Sequence, residues 1–175
     1  MVISEDDQDF WRRLLAADQV YSTIETDEDT PSHRQLLARI EFNSVLKHLL
    51  AKPAALIELI RIALQDPTTR SEALKVCAVL SWEEQQQLIG ELLWLSSWSH
   101  ESTAECQNLV QALPRPWVLG QVEDYAEYLL EENCPEVYGG LLKLSFRLDT
   151  TLTLRLVHRA FQTFGQDFGK QLQAS

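Results

Sequence analysis

Apolar residues recur at steps of three and four along most of the chain, and this spacing places them on one face of an α-helix. The last long stretch shows the pattern with Leu152, Leu156, Ala160 and Phe164. Prolines separate the periodic stretches, and proline suits the first turn of a helix because its missing amide hydrogen is not needed there. The pattern therefore predicts an all-α fold, with helices that begin at Pro53, Pro67 and Pro135 among other places.

Capping residues sharpen two of the predicted boundaries. Ser81 with Glu84 three residues later predicts a capping box, and Asp149 or Thr150 is expected to cap the last helix. The predicted helices cover residues 9–17, 32–51, 53–66, 67–80, 82–98, 103–113, 117–132, 135–148 and a final stretch from 150. The helix of residues 82–98 is apolar enough to be covered on two sides and is expected at the centre of the fold. The second helix carries an apolar stripe that is expected to be buried, made of Leu36, Leu37, Ile40, Val45, Leu49 and Leu50.

Length, charge and cysteine content limit the class of protein. The 175 residues suit a single helical domain, residues 1–175, without a metal or disulfide to stabilise it. A formal net charge of −11 disfavours nucleic acid and anionic membranes as partners, because binding to phosphates draws on a basic face. The chain starts without a basic and apolar leader, and no segment reaches 18 uncharged apolar residues. We therefore expect a cytoplasmic protein that does not insert into a membrane.

Acidic residues are concentrated near the N-terminus, where nine of them precede residue 31 against two arginines. The cluster at residues 25–30 is followed by Pro31, which predicts an exposed acidic loop. A solvated terminal segment is one interpretation of this charge, and an acidic arm for a basic partner is the other.

Three hairpin turns recur about 32 to 36 residues apart, at Asp66-Pro67, near Trp98-Ser99 and at Cys134-Pro135. The first of them, from Ala63 to Leu74, resembles the HEAT repeat because Asp66, Arg70 and Ala73 follow one another across the turn. The resemblance extends over about residues 53–164.

The resemblance to HEAT repeats implies an α-solenoid of stacked antiparallel hairpins, in which the aspartate and arginine join neighbouring turns through a ladder of hydrogen bonds. Residues 53–168 would form the hairpins and residues 1–51 the N-terminal capping helices. Proteins of this kind bind other proteins on an extended surface. An irregular helical bundle is the alternative architecture.

Motifs for catalysis, metals or cofactors are not found in the sequence. The chain has no phosphate-binding or dinucleotide-binding glycine loop, no zinc-type histidine pair and no nucleophile elbow. Its cysteines, Cys77, Cys106 and Cys134, are too far apart for a metal knuckle and are expected to be free thiols. We therefore expect no enzyme activity and no cofactor.

Two aromatic groups are the candidate partner-binding residues. Trp94 and Trp98 lie one helical turn apart. They are either core residues or an aromatic platform for a ligand or partner. Tyr125 and Tyr128 lie in an acidic stretch with Glu127 and Glu131. This stretch forms either a binding face or a solvated outer face. Arg155 and Arg159, one turn apart on the last helix, are expected to contact an acidic partner or the N-terminal acids.

Two functions remain open at this point. The first is a non-enzymatic adaptor or assembly factor that binds a partner protein. The second is a small helical ligand-binding protein or enzyme whose tryptophans enclose an apolar pocket.

Overall fold

A computed structural model describes residues 3–25, 33–165 and Phe168 of the chain. Within these residues the chain is all-helical and contains no strand, which confirms the predicted fold class. The helices are α1 (Glu5–Glu25), α2 (His33–Leu50), α3 (Pro53–Gln65), α4 (Arg70–Cys77), α5 (Trp82–Gln86), α6 (Ile89–Ser97), α7 (Thr103–Ala112), α8 (Arg115–Glu131), α9 (Pro135–Leu148) and α10 (Thr150–Phe164). The predicted acidic loop at residues 25–30 lies outside the described residues, except for Glu25 at the end of α1. No helix in the described part of the chain is long and apolar enough to cross a membrane.

The helices form two compact units, Met1–Leu80 and Ser81–Ser175. In the first unit α1 packs on α2, and α3 packs on α4. Ion pairs connect α1 to the rest of the unit: Lys52 Nζ lies 2.7 Å from Asp7 Oδ1, Arg13 Nη2 lies 2.6 Å from Glu41 Oε1, and Lys75 Nζ lies 2.6 Å from Asp18 Oδ2. The core of this unit is aliphatic, with Leu14, Val45, Leu49, Leu56 and Ile60 almost wholly buried.

The apolar stripe predicted for α2 is only half correct. Val45 and Leu49 are buried, whereas Leu36 is 58% exposed, Ile40 is 55% exposed and Leu37 is exposed as well. The buried face of α2 instead continues to Ala38, seven residues before Val45. At 100° per residue, Leu36 and Ile40 lie on the opposite side of the helix from this face. The leucine spacing is therefore compatible with two faces, and packing buries one of them.

In the second unit α9 packs against α6, α8 and α10, and α6 also packs against α7. Eight residues of α9 are buried, more than in any other helix of this unit. Tyr138 and Leu141 of α9 are completely buried, as are Val122 of α8 and Leu156 of α10. The core of the second unit is therefore built around α9.

The helix predicted over residues 82–98 is interrupted, which corrects the sequence interpretation. It consists of the five-residue α5 and, after a break at Gln87 and Leu88, of α6. Leu88 has φ −110° and ψ 5°, outside helical geometry, and its side chain is completely buried. Gly90 lies two residues later, in the first turn of α6, and glycine is a poor helix former. The break therefore lies at a completely buried leucine.

The predicted helix ends are confirmed where capping side chains define them. Ser81 Oγ accepts a hydrogen bond from the Glu84 amide and the Glu84 carboxylate accepts one from the Ser81 amide, which completes the capping box of α5. Asp149 Oδ1 accepts a hydrogen bond of 2.7 Å from the Leu152 amide at the start of α10. This bond, and the charge of nearby Arg115, lower the pKa of the Asp149 carboxyl.

The turn between α3 and α4 departs from the prediction that Pro67 begins a helix. The Asp66 carboxylate accepts hydrogen bonds from the amide and the hydroxyl of Thr68, which form a turn, and α4 begins only at Arg70. Arg70 Nε donates a hydrogen bond of 2.8 Å to the Leu64 carbonyl of the same hairpin. Asp66 and Arg70, the polar residues of the HEAT resemblance, thus make contacts within their own hairpin.

Candidate functional site

The tryptophan pair, which we define as Trp94 and Trp98, lies at the end of α6. The neighbouring Leu92, Leu93 and Leu95 are buried, but Trp94 is 43% exposed and Trp98 is 39% exposed. The two ring centroids are 5.2 Å apart and the rings are tilted by 58°. The two tryptophans therefore form a joint aromatic surface at the border of the core, and neither is a fully buried core residue.

Trp82 does not belong to this pair. Its ring contacts Trp117 of α8 edge to face, with centroids 6.2 Å apart. It is exposed to the same extent as Trp94. Trp82 is therefore a suitable reference when the tryptophan pair is altered.

The two tyrosines of α8 also stack, with ring centroids 6.0 Å apart. Tyr128 is 51% exposed, whereas Tyr125 is half-buried. The Tyr125 hydroxyl is buried without a hydrogen-bond partner in the described part of the chain, and burial raises the pKa of Tyr125. Tyr128 is thus the more accessible member of the pair.

The acidic residues around these tyrosines have partners in α10. Glu127 forms an ion pair with Arg159, and Glu123 lies 3.4 Å from Arg155 and 3.8 Å from Arg159. The C-terminal arginines therefore contact acids of their own unit, in place of the partner or N-terminal acids that the sequence suggested. Glu131 is exposed at the end of α8.

A cleft of about 460 Å³ opens beside Trp98, and the sequence did not predict it. We call it the α6–α9 cleft because the C-terminus of α6 and one face of α9 form its walls, with the start of α7 between them. Its lining is Ser96, Ser97, Trp98, Ser99, His100, Thr103, Gln107, Glu136, Gly140 and Lys143. It differs from the apolar tryptophan pocket considered above, because most of these side chains are polar.

The polar side chains near the end of α6 bind its free carbonyl groups. The Ser102 amide donates to His100 Nδ1 at 3.1 Å, so the ring proton is on Nε2, which donates to the Leu95 carbonyl at 2.9 Å. Gln107 Nε2 donates to the Ser96 carbonyl at 3.0 Å. The Ser97 and Thr103 hydroxyls donate to the carbonyls of Leu93 and Trp98. The Leu95 and Ser96 carbonyls lie in the last turn of the helix, where backbone carbonyls have no helical partner.

Ser96 is the exception among these polar residues. It is 1% exposed, and its hydroxyl has no hydrogen-bond partner among the described residues. A buried hydroxyl without a partner lowers the stability of the fold. The wall of the cleft therefore contains one polar group that is still able to form a hydrogen bond.

The close contact of α6 and α9 shapes the cleft. A Cβ atom at Gly140 would lie 1.8 Å from the Ser97 carbonyl oxygen, so only glycine permits this approach. Gly139 and Gly140, together with the serines at 96, 97 and 99, are the sequence signals that accompany the cleft. Glycine pairs and serines of this kind are too common in sequences to have indicated the cleft.

The described residues contain no group of three His, Cys, Asp or Glu side chains arranged to hold a metal ion. No family model matches the chain, and neither a curated protein nor a solved structure does.

Proposed function

We propose that this protein is a non-enzymatic protein-interaction module, an adaptor or assembly factor, that binds its partner through the tryptophan pair. The observation that carries the proposal is the joint exposure of Trp94 and Trp98 on a helix whose other large apolar residues are largely buried. Tryptophan is enriched among the residues that dominate binding energy at protein interfaces. Two such rings in contact provide a large apolar area for a partner.

Charge supports a basic partner segment. The second unit, residues 81–175, contains six lysines and arginines and thirteen aspartates and glutamates, a formal net charge of −7. Opposite charge speeds the encounter of two proteins and selects among partners. A partner segment with basic residues around an apolar anchor fits this surface, and nucleic acid does not.

The proposed architecture is a stack of HEAT-like hairpins, with the exposed Tyr128 and Glu131 of α8 as a second contact for the partner. The spacing of the three hairpin turns supports it, since repeats of this length build such stacks. A cytoplasmic location is part of the proposal. The three cysteines are free thiols, as is usual in a reducing compartment.

Affinity capture with matched variants tests the proposal. The full chain and its Trp94→Ala/Trp98→Ala variant are used as bait in native cell extract, with Trp82→Ala as the control. The captured protein is then purified and titrated against each bait. We expect the double variant to bind at least about 30-fold more weakly, which corresponds to about 2 kcal/mol for a dominant interface residue.

A Tyr128→Ala/Glu131→Gln variant tests the second contact in the same titration, and we expect a smaller loss of affinity. Equal affinity of the wild type and the tryptophan variant would overturn the proposed site. The absence of any specific captured protein would overturn the adaptor function.

A further inference from the structure

The α6–α9 cleft has the size of a small-ligand site. Its volume of about 460 Å³ is within the range of about 300–1,000 Å³ that is usual for such sites. All its lining residues belong to the second unit. The cleft is therefore complete without any residue of the first unit.

Opposite charges stand at the two ends of one wall. Glu136 and Lys143 are seven residues apart on α9, which places their Cα atoms about 10 Å apart along the helix axis on nearly the same face. Both residues are exposed, and neither has an ion-pair partner in the part of the chain that the structure describes. Between them lies Gly140, where α9 contacts the Ser97 carbonyl of α6, so the lining between the two charges is backbone.

Another wall of the cleft provides an aromatic ring. Trp98 contributes apolar surface there. Because His100, Gln107 and Thr103 already bind backbone groups, the charged pair remains to recognise a ligand. A negative end, a positive end and an apolar wall together favour a ligand with the same three features.

We propose that the α6–α9 cleft binds a short zwitterion of dipeptide length, with the Glu136 carboxylate on its ammonium group and Lys143 Nζ on its carboxylate. Two extended residues span about 7 Å. The side chains of Glu136 and Lys143 cover the rest of the distance of about 10 Å between their Cα atoms. A single α-amino acid spans only about half the length of two extended residues. An apolar side chain on the ligand packs against Trp98.

Titration with a defined set of ligands tests this proposal on the full chain. The probes are glycyl-leucine, its N-acetylated form, its C-terminal amide and free leucine, and binding is followed by calorimetry and tryptophan fluorescence. We expect saturable binding of glycyl-leucine and at least about tenfold weaker binding of the other three, because each lacks one charge-assisted contact or the length to make both.

Charge-removing variants identify the residues responsible. Glu136→Gln should abolish the preference for glycyl-leucine over its N-acetylated form, and Lys143→Met should abolish the preference over the amide. Glu132→Gln and Arg147→Gln remove exposed charges outside the cleft and should leave both preferences unchanged. Equal affinity for all four probes, or no saturation with glycyl-leucine up to about 10 mM, would overturn the proposal. The proposal does not depend on partner binding at the tryptophan pair.

Discussion

Gly140 occupies an interior position of α9, where glycine is normally less favourable than alanine. The Ser97 carbonyl lies so close that a methyl group at this position would overlap with it. Glycine lowers the stability of the helix itself, but an alanine at this position would separate α6 from α9. One missing methyl group therefore decides how closely the two walls of the cleft approach each other.

We expect Gly140→Ala to lower the free energy of unfolding by about 1–3 kcal/mol or more, because the added carbon forces the two helices apart. The matched control is Gly120→Ala in α8, where nothing beyond the neighbouring residues and the backbone of the helix itself lies within 4 Å of the added carbon. That change should raise stability by about 0.5–1 kcal/mol through helix propensity alone. Urea denaturation measures both, and equal effects of the two substitutions would contradict the close contact.

Tyr138 is the largest fully buried side chain of the protein's described part. Its hydroxyl donates a hydrogen bond of 3.0 Å to the Leu156 carbonyl of α10. Its ring meets Phe164 and Phe168 edge to face, at centroid distances of 5.6 and 6.0 Å. Burial raises the pKa of the Tyr138 hydroxyl to about 12, because the charged phenolate is poorly solvated in the core.

This raised pKa predicts a specific alkaline instability. The unfolded chain loses the Tyr138 proton near pH 10, whereas the folded chain retains it up to about pH 12. The contribution of Tyr138 to the free energy of unfolding is therefore fully present below pH 10. It is lost as the pH rises from about 10 to about 12, by about 1.4 kcal/mol per pH unit.

Tyr138→Phe should cost about 0.5–1.5 kcal/mol near neutral pH, through the lost hydrogen bond. Its free energy of unfolding should then fall less steeply above pH 10 than that of the wild type. Urea denaturation at several alkaline pH values makes the comparison, and the raised pKa of Tyr125 affects both proteins alike. Parallel pH profiles would contradict the assignment.

At the scale of the helix, α6 shows how one element serves both the core and the surface. Leu92 and Leu93 are buried, while Trp94 is exposed between them and Leu95. The helix therefore stabilises the fold on one side and presents the tryptophan pair on the other. Its apolar composition by itself does not separate these two roles.

Leu92→Ala should lower the free energy of unfolding by about 2–5 kcal/mol, the cost of a cavity in a packed core. Leu36→Ala on the exposed side of α2 is the matched substitution, and we expect it to change stability by less than about 0.5 kcal/mol. Urea denaturation distinguishes the two, and a loss at Leu36 as large as the loss at Leu92 would show that the exposed face of α2 is covered.

At the scale of the whole molecule, each compact unit has its own set of buried residues. The core of the first unit centres on Leu14, Leu49 and Ile60, and that of the second on Tyr138 and Leu141. Both units are acidic, with formal net charges of −4 for residues 1–80 and −7 for residues 81–175. The sequence predicted a single domain over residues 1–175, and this stays a prediction because two compact units do not by themselves define two domains.

We expect residues 81–175 to fold as an isolated fragment, because a chain of this length with its own core is within the range of independent domains. Circular dichroism should show a helical spectrum and a cooperative thermal transition. The same fragment with Leu92→Ala should melt at a lower temperature. A fragment without a cooperative transition would show that its core depends on the remainder of the chain.

The sequence predicted the helical elements well because their signals are local. The proline at the start of α3 and α9, the Ser81 capping box and the Asp149 cap each act within one helical turn. The predictions failed where the deciding contact is distant along the chain. The break before α6 lies at Leu88, whose complete burial its neighbours in sequence do not indicate.

Sequence alone thus determined that this protein is helical, acidic and capped at defined residues, since backbone hydrogen bonding and side-chain spacing are properties of short segments. Tertiary structure alone decided which of the two apolar faces of α2 is buried, that Glu127 pairs with Arg159, and that Ser96, Glu136 and Lys143 line one cleft. These outcomes depend on contacts between residues far apart in sequence, and periodicity contains no information on which helix will lie opposite a given face.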